Sequence, residues 1–369
     1  MEYYTLGNTG LKVSRLALGT MTFGDDWGWG ADDAASRQIF DAYAEAGGNF
    51  FDTADMYTNG NSERMLGRYI KDAGMRDKAV IATKFSYNAQ ALNPNAGGNG
   101  RKNIMRAVEG SLERLGTDYI DLYILHTWDR VTPAEEVMRT MDDLVRSGKV
   151  RHVGLSDTPA WYAARAQTIA EMRGYEKLAA LQLEYSLAER NIENEFTDLV
   201  TQQGMGIMVW SPLVSGMLSG KYRPSEGGQS GEGRLAVTAG SGNAAFEKFT
   251  DRNWAIVAEL EKVAGELDRS MAQVAVNWVA NRPGVASVLI GATKVSQMRD
   301  NLGALDFDIP AELLDRLDAV SEREMQFPYT FFTPGMQAML QGGAAVGNKP
   351  AHYFPDQLMA GAPAGVGED

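Results

Sequence analysis

Short apolar runs alternate with stretches of helical periodicity along most of this chain, and that alternation restricts the fold more than any other feature. The runs read as strands over Leu16 to Thr20, Asn49 to Thr53, Ala79 to Lys84, Ile120 to His126, Val150 to Ser156, Ala179 to Glu184, Gly206 to Ser211 and Ser287 to Gly291, eight in all. Helical stretches fall over 32–46, 62–71, 103–115, 133–146, 159–172 and 193–203. Strands buried on both faces show continuous apolar runs, and a parallel sheet needs helices to cover it. Two architectures satisfy this pattern: a closed (β/α)8 TIM barrel of the α/β class and an open doubly wound sheet. The barrel is favoured, because no G-x-G-x-x-G follows the first strand; the "GWG" at 28–30 lacks the third glycine and lies in a loop.

Local signals agree with these elements. Thr132 before Pro133 and Thr158 before Pro159 predict a capping side chain ahead of a proline at the first helical position. Gly148 in "RSGK" predicts a left-handed stop after a helix. Tyr3 to Leu6 and Leu11 to Val13 flank "GNTG", which predicts an N-terminal β-hairpin plugging the barrel. Residues 327–369 are rich in Pro, Gly and Ala and cannot build a core of their own. The expected organisation is therefore one barrel domain over 1–326 and a C-terminal arm over 327–369 that packs on it.

Composition excludes several functions. The balance of 35 Lys plus Arg against 48 Asp plus Glu, a net charge of −13, argues against nucleic-acid and anionic-membrane partners. The absence of cysteine removes disulfides, thiolate catalysis and thiolate metal sites. No stretch approaches the apolar length of a membrane span, and the N-terminus lacks a basic segment followed by an apolar one, so a cytoplasmic location is expected.

Barrel enzymes gather their chemistry at the C-terminal ends of strands. Here the second strand ends in Asp52 with Tyr57 just beyond, the third ends in Lys84, and the fourth in His126. Taken singly, each reads as an ordinary cap or solvated residue; together they put four ionisable groups on one rim. Counting leaves a metal site of His126, Asp52 and Glu184 open, but paired ligand spacings such as H-E-x-x-H are absent and no metal is expected.

The segments "NFFDTADMY", "IATK" and "LYILH" resemble, in order, the three motif segments of the aldo-keto reductase family, and the resemblance runs over nearly the whole chain. It implies a catalytic tetrad of Asp52, Tyr57, Lys84 and His126. The residue types suit carbonyl reduction, which adds a hydride to carbon and a proton to oxygen. An unperturbed phenol, with a pKa of about 10, donates poorly near neutrality. An ammonium beside it favours the phenolate, and a carboxylate keeps that ammonium charged. Tyr57 is thus the expected acid, Lys84 its tuner, Asp52 the anchor of Lys84, and His126 a donor that polarises the carbonyl.

The resemblance also implies a nicotinamide dinucleotide bound without a Rossmann domain. "VWSPLVSGMLSGKYR" resembles the segment whose aromatic residue stacks on the nicotinamide, which assigns that ring to Trp210 and pyrophosphate contacts to Ser211, Leu213 and Gly216, with Lys221 nearby. It is not a P-loop, since Gly216 and Gly220 are one residue too close and Tyr222 replaces the magnesium-binding hydroxyl. "LIGATKVSQMRDNLGAL" resembles the closing strand-to-helix segment. Gly291, Thr293, Lys294 and Gln297 are expected around the 2′-phosphate, and Asp300 with Asn301 at the adenine amine. Lys294 and Arg234 supply positive charge in an acidic chain, which favours NADPH (NADP+) over NADH. Gly19 and Thr20 at the first strand end join this set, and Ser156 with Gln182 is expected at the carboxamide. Asp157 departs from the asparagine of many relatives, and an ionised Asp can only accept.

Trp27 and Trp29 in the loop after the first strand, and Trp128 beyond His126, suggest an apolar, stacking-capable substrate pocket. Trp278 falls on an apolar helical face and is expected in the core. The expected activity is reversible NADPH-dependent reduction of a small-molecule aldehyde or ketone to its alcohol. "HTWDRVTPAEEVM" with "GLSDTPAW" resembles the aryl-alcohol dehydrogenase branch. The competing expectation is an NADPH-binding redox sensor or regulatory subunit with slow turnover, like the channel β-subunits that resemble this family.

Overall fold

The computed structural model describes residues 1–225, 228–230, 233, 235–236 and 247–342. After an N-terminal hairpin of β1 (Tyr3–Thr5) and β2 (Lys12–Ser14) come β3 (Leu16–Gly19), β4 (Phe50–Asp52), β5 (Val80–Phe85), β6 (Ile120–Leu125), β7 (Val150–Ser156), β8 (Leu178–Glu184) and β9 (Gly206–Trp210). A short hairpin, β10 (Arg223–Ser225) with β11 (Gly228–Ser230), precedes β12 (Val285–Ile290). Eight of these strands close as a parallel barrel in the order β12-β3-β4-β5-β6-β7-β8-β9. The barrel expectation holds, and the open sheet is excluded.

Side chains alternate across each strand, so one barrel strand feeds two cores. Ala17, Phe50, Val80, Ala82, Leu122, Ile124, Ala180, Met208 and Leu289 form an interior cluster to which, among the described residues, no helix contributes. Their neighbours Leu16, Phe51, Ile81, Tyr123, Leu155 and Val209 pack outward against the helices. Both sets are buried, which is why the sequence shows unbroken apolar runs instead of alternation. Leu6 and Val13 of the hairpin join the interior cluster, and Asn8 N–H donates to the Gly204 carbonyl at 2.8 Å ahead of β9. The hairpin therefore closes the end of the barrel where the strands begin.

The covering helices include α1 (Asp33–Glu45), α2 (Asn61–Asp72), α3 (Arg101–Leu115), α4 (Ala134–Arg146), α5 (Ala160–Arg173) and α6 (Phe196–Gln203). Two expectations about their ends need correction. Pro133 and Pro159 are themselves the cap residues, extended at ψ 143 and 146, and no side-chain capping bond forms there. Proline needs no N–H partner at that position, and the Thr132 hydroxyl instead donates to Asp129 at 2.6 Å. The helix expected over 193–203 is broken at Glu195, whose φ of −139° separates a 3-10 turn at Asn191–Asn194 from α6. Gly148 does take the left-handed conformation, at φ +77°.

Trp278 lies in the core as expected, 1% exposed, with its indole N–H on Asp318 at 2.9 Å. The chain divides into a unit of Met1–Ser321 and a second unit that starts at Glu322, just before the stretch expected to open the arm. The second unit carries a 3-10 turn at Tyr329–Phe331 and a short helix at Pro334–Leu340, and 343–369 of the expected arm lie outside the described residues. No helix among the described residues is long and apolar enough to cross a membrane.

Candidate active site

The period of two that fills the barrel with apolar side chains also aims polar ones at its mouth. Asp52 follows Phe50, Lys84 follows Ala82, His126 follows Ile124, Gln182 follows Ala180 and Trp210 follows Met208, each two positions beyond an interior residue. One face of five strands thus ends in the groups singled out from the sequence.

At the centre is the Lys84 ammonium, fully buried. Its nitrogen lies 2.6 Å from Asp52 Oδ1, 2.7 Å from the Thr53 carbonyl and 3.1 Å from the Tyr57 phenol oxygen. An ammonium has three N–H donors and no acceptor, so all three are used and the phenol oxygen must be the acceptor. The phenol's own proton is not spent in that bond. Burial works against the charge on Lys84, but the Asp52 carboxylate and Tyr57 outweigh it and hold its pKa above the ordinary lysine value. The other Asp52 oxygen accepts from Gln182 Nε2 at 2.7 Å.

The His126 ring stands 5.7 Å from the Tyr57 ring, centroid to centroid and nearly edge-on. Burial first, and the Lys84 charge second, push its pKa well below the usual 6.5. His126 is therefore a neutral imidazole across the physiological range. Its Nδ1 is buried without a hydrogen-bond partner among the described residues. Trp27 approaches Tyr57 edge-on at 6.4 Å and packs on Trp29 at 5.4 Å. Trp128 packs on Trp161 at 5.5 Å and on Tyr162 at 6.0 Å, one step further along the rim.

Two residues of this neighbourhood escaped the sequence reading. Tyr87, in the loop after β5, sets its ring 5.0 Å from His126 and perpendicular to it. An aromatic shortly after the strand-ending lysine was the available signal. Asp55 lies two positions before Tyr57 and is buried. Its Oδ1, the Tyr123 hydroxyl and Arg106 Nε are all buried without partners among the described residues. Burial, reinforced by Glu63, raises its pKa to about 7.

The residues expected at a dinucleotide sort into braces and open contacts. Thr20 is fully buried and bonds the Asp52 carbonyl and the Ser62 hydroxyl, at 3.0 and 2.8 Å, so its side chain braces the strand ends. Gly19 ends β3, Ser156 ends β7 and is buried, and Gln182 is tied to Asp52 as described. Trp210 packs on the interior cluster, and its indole N–H donates to Asp157 Oδ1 at 3.0 Å. Beyond it Ser211, Val214 and Ser215 take left-handed backbone, at φ 56°, 51° and 52°, followed by Gly216 at 92°. A Cβ at Gly216 would stand 2.4 Å from Lys221 Cε, so this glycine leaves room for the lysine against the loop. Lys221 is exposed, and among the described residues no carboxylate pairs with it. Leu213 lies within this turn and is partly buried.

At the other strand end, Gln297 Oε1 accepts from Thr293 N–H at 2.9 Å and from Lys294 N–H at 3.2 Å, ordering the turn into the helix Val295–Leu302. Lys294 is exposed, Gly291 is open, Asn301 Nδ2 donates to the Gly291 carbonyl at 3.4 Å, and Asp300 accepts from the Ser270 hydroxyl at 2.7 Å. Asp300 is thus already engaged. Arg234 lies outside the described residues. The donor set, two exposed ammoniums beside loops held open by backbone conformation and an aromatic platform at the barrel mouth, fits an anionic nucleotide with an aromatic head.

The sequence profile of the Aldo/keto reductase family matches residues 15–322. The chain is 36% identical over 326 residues to a probable voltage-gated potassium channel subunit beta of Oryza sativa subsp. japonica, covering 87% of this chain and 96% of that protein. It is 37% identical to the uncharacterized oxidoreductase YrpG of Bacillus subtilis, with coverage of 87% and 96%. It is 33% identical to an aryl-alcohol dehydrogenase (NADP(+)) of Phanerodontia chrysosporium, with coverage of 88% and 87%. The chain belongs to the aldo/keto reductase family. It is an oxidoreductase, and its general chemistry is carbonyl reduction with a nicotinamide cofactor.

Proposed function

We propose that this protein reduces an aldehyde or ketone to its alcohol, reversibly, with NADPH preferred over NADH and with Tyr57 as the proton donor. The observation that carries the reading is the Lys84 ammonium, whose three N–H groups are divided among Asp52, the Thr53 carbonyl and the Tyr57 oxygen. As the phenol gives up its proton to the substrate oxygen, the charge left behind develops against that ammonium. Asp52 keeps Lys84 charged, and Gln182 fixes Asp52. His126, being neutral, can donate N–H to the substrate oxygen without carrying a competing charge.

When bound, the nicotinamide supplies the hydride. Trp210 would hold that ring at the barrel mouth, the turn of Ser211, Leu213 and Gly216 with Lys221 would take the pyrophosphate, and Gly291, Thr293, Lys294 and Gln297 would take the 2′-phosphate. The exposed Lys294 supports the NADPH preference, since a 2′-hydroxyl offers it no charge. Asn301 and Asp300 remain the proposed adenine contacts, with Asp300 having to exchange its bond from Ser270. Trp27, Trp29, Tyr87 and Trp128 favour a flat aromatic substrate, in line with the aryl-alcohol dehydrogenase name of the Phanerodontia relative. The reading places all of this in the 1–326 domain of a cytoplasmic enzyme.

The test is steady-state oxidation of NADPH and NADH, followed by absorbance, against a panel of aromatic, aliphatic and sugar carbonyls. Turnover with aromatic aldehydes and NADPH is the expected result. The likeness to a channel subunit β favours a second reading, a regulatory subunit that binds NADPH and turns over slowly. Tight NADPH binding without oxidation by any carbonyl of the panel would select it.

A further inference from the structure

Asp157 stands just past the end of β7 with its backbone at φ +46°, a left-handed conformation that Asp and Asn tolerate because their short side chains bond locally. Its Oδ1 accepts the Trp210 indole N–H at 3.0 Å, and its backbone N–H donates to the Gln182 carbonyl at 3.3 Å. Strand ends on β8 and β9 therefore fix this carboxylate at the edge of the indole ring. Two neighbouring acids have cations of their own: Asp52 pairs with Lys84 at 2.6 Å and Glu184 with Lys248 at 3.0 Å. The side-chain partners of Asp157 are neutral, the indole and Ser156, and among the described residues no cation pairs with it. Among the described residues Asp157 thus has no ion-pair partner, and it lies beside Trp210.

We propose that Asp157 is a positioning residue that also sets which oxidation state of the nicotinamide the site prefers: ionised, it favours the oxidised, positively charged ring over the neutral reduced one. The inference rests on the reading above that this ring lies on Trp210. Asp157 is exposed to solvent, and a ring seated on Trp210 would cover its carboxylate and so strengthen the action of that charge on the ring. Asparagine could hold the indole equally well through its amide oxygen but would bring no charge.

The preference is gated by pH. Although Asp157 is exposed to solvent, the crowding of the barrel mouth around its carboxyl raises it to about 6; the indole bond pulls it down, Glu184 pushes it up, and Lys84 and Ser156 pull it down. Glu184 carries Lys248 with it, Lys84 carries Asp52, and Tyr87 faces Asp157 from the loop after β5. His126 packs on Tyr87 and stays neutral, so it adds no charge. Above the Asp157 pKa the charge is present and NADP+ gains; below it the carboxyl is neutral and the gain disappears.

The experiment measures dissociation constants of NADP+ and NADPH by calorimetry or quenching of tryptophan fluorescence, on the full chain and on Asp157→Asn, from about pH 5 to about pH 8. Titration of the nucleotide's own phosphates is common to both ligands and cancels in the ratio of the two constants. In the wild type, the preference for NADP+ relative to NADPH should rise at least about fivefold between the acid and alkaline limits. In Asp157→Asn the ratio should be flat and lie at the wild type's acid-limit value. The wild-type pH series stands without the variant. A ratio that moves neither with pH nor with the substitution, while both nucleotides bind, overturns this inference alone. A wild type that binds neither nucleotide overturns the cofactor reading and this inference with it.

Discussion

The buried centre around Lys84 and the exposed cofactor rim are built on opposite principles. Every N–H of Lys84 has a partner inside the protein, and both Asp52 oxygens are engaged, so the proposed proton donor is organised before any ligand arrives. At the rim, Lys221 and Lys294 are exposed and pair with no carboxylate among the described residues, leaving their charge available. Chemistry that must wait for nothing is built from interior residues, while binding groups stay solvated until a phosphate replaces the water. Substitutions at the centre should therefore damage turnover and stability together, and substitutions at the rim should change affinity alone.

The sharpest way to break this contrast is Lys84→Met. It should lower turnover about 10⁴-fold, by removing the ammonium against which the phenolate develops. It also strands Asp52 as a buried carboxylate without a cation, and should cost about 3–5 kcal/mol in chemical denaturation. A variant with unchanged stability would mean that the centre is not preorganised. On the rim, Lys294→Met should weaken NADPH about tenfold in direct binding, leave NADH within about twofold, and leave the unfolding midpoint unmoved. Equal losses for both nucleotides would remove the 2′-phosphate from the account.

The smallest effect is expected at Asp55, buried like Lys84 but with no ion pair among the described residues. Its pKa of about 7 means that the folded chain still holds a proton which the unfolded chain has released. Stability contributed by this group therefore falls as pH rises from the ordinary carboxylate range toward 7. Asp55→Asn should be more stable than wild type by about 1–2 kcal/mol at pH 8 and equal to it near pH 4, as read by urea unfolding at both pH values.

The sequence showed the fold well because the barrel's demands are repetitive. Phe50 and Phe51 serve opposite faces of one strand, and both must be apolar, so the strand is visible as a run. Asp52, Lys84 and His126 were legible because a strand end is a defined place and their residue types have few reasons to meet there. Partners from distant segments were not. Nothing local assigns Gln182 to Asp52, since the bond spans 130 positions of chain. Tyr87 sits on a loop whose path is set by contacts beyond its own neighbours. The proline caps were misplaced by one residue, because threonine followed by proline signals a helix start without saying which of the two is the cap.

The central claim is that the proton reaching the carbonyl oxygen comes from Tyr57, and Tyr57→Phe tests it most directly. Single-turnover oxidation of pre-bound NADPH by an aromatic aldehyde should slow about 10³-fold in the variant, with the NADPH dissociation constant within about threefold of wild type. A variant that turns over within tenfold of wild type at unchanged NADPH affinity would contradict the account.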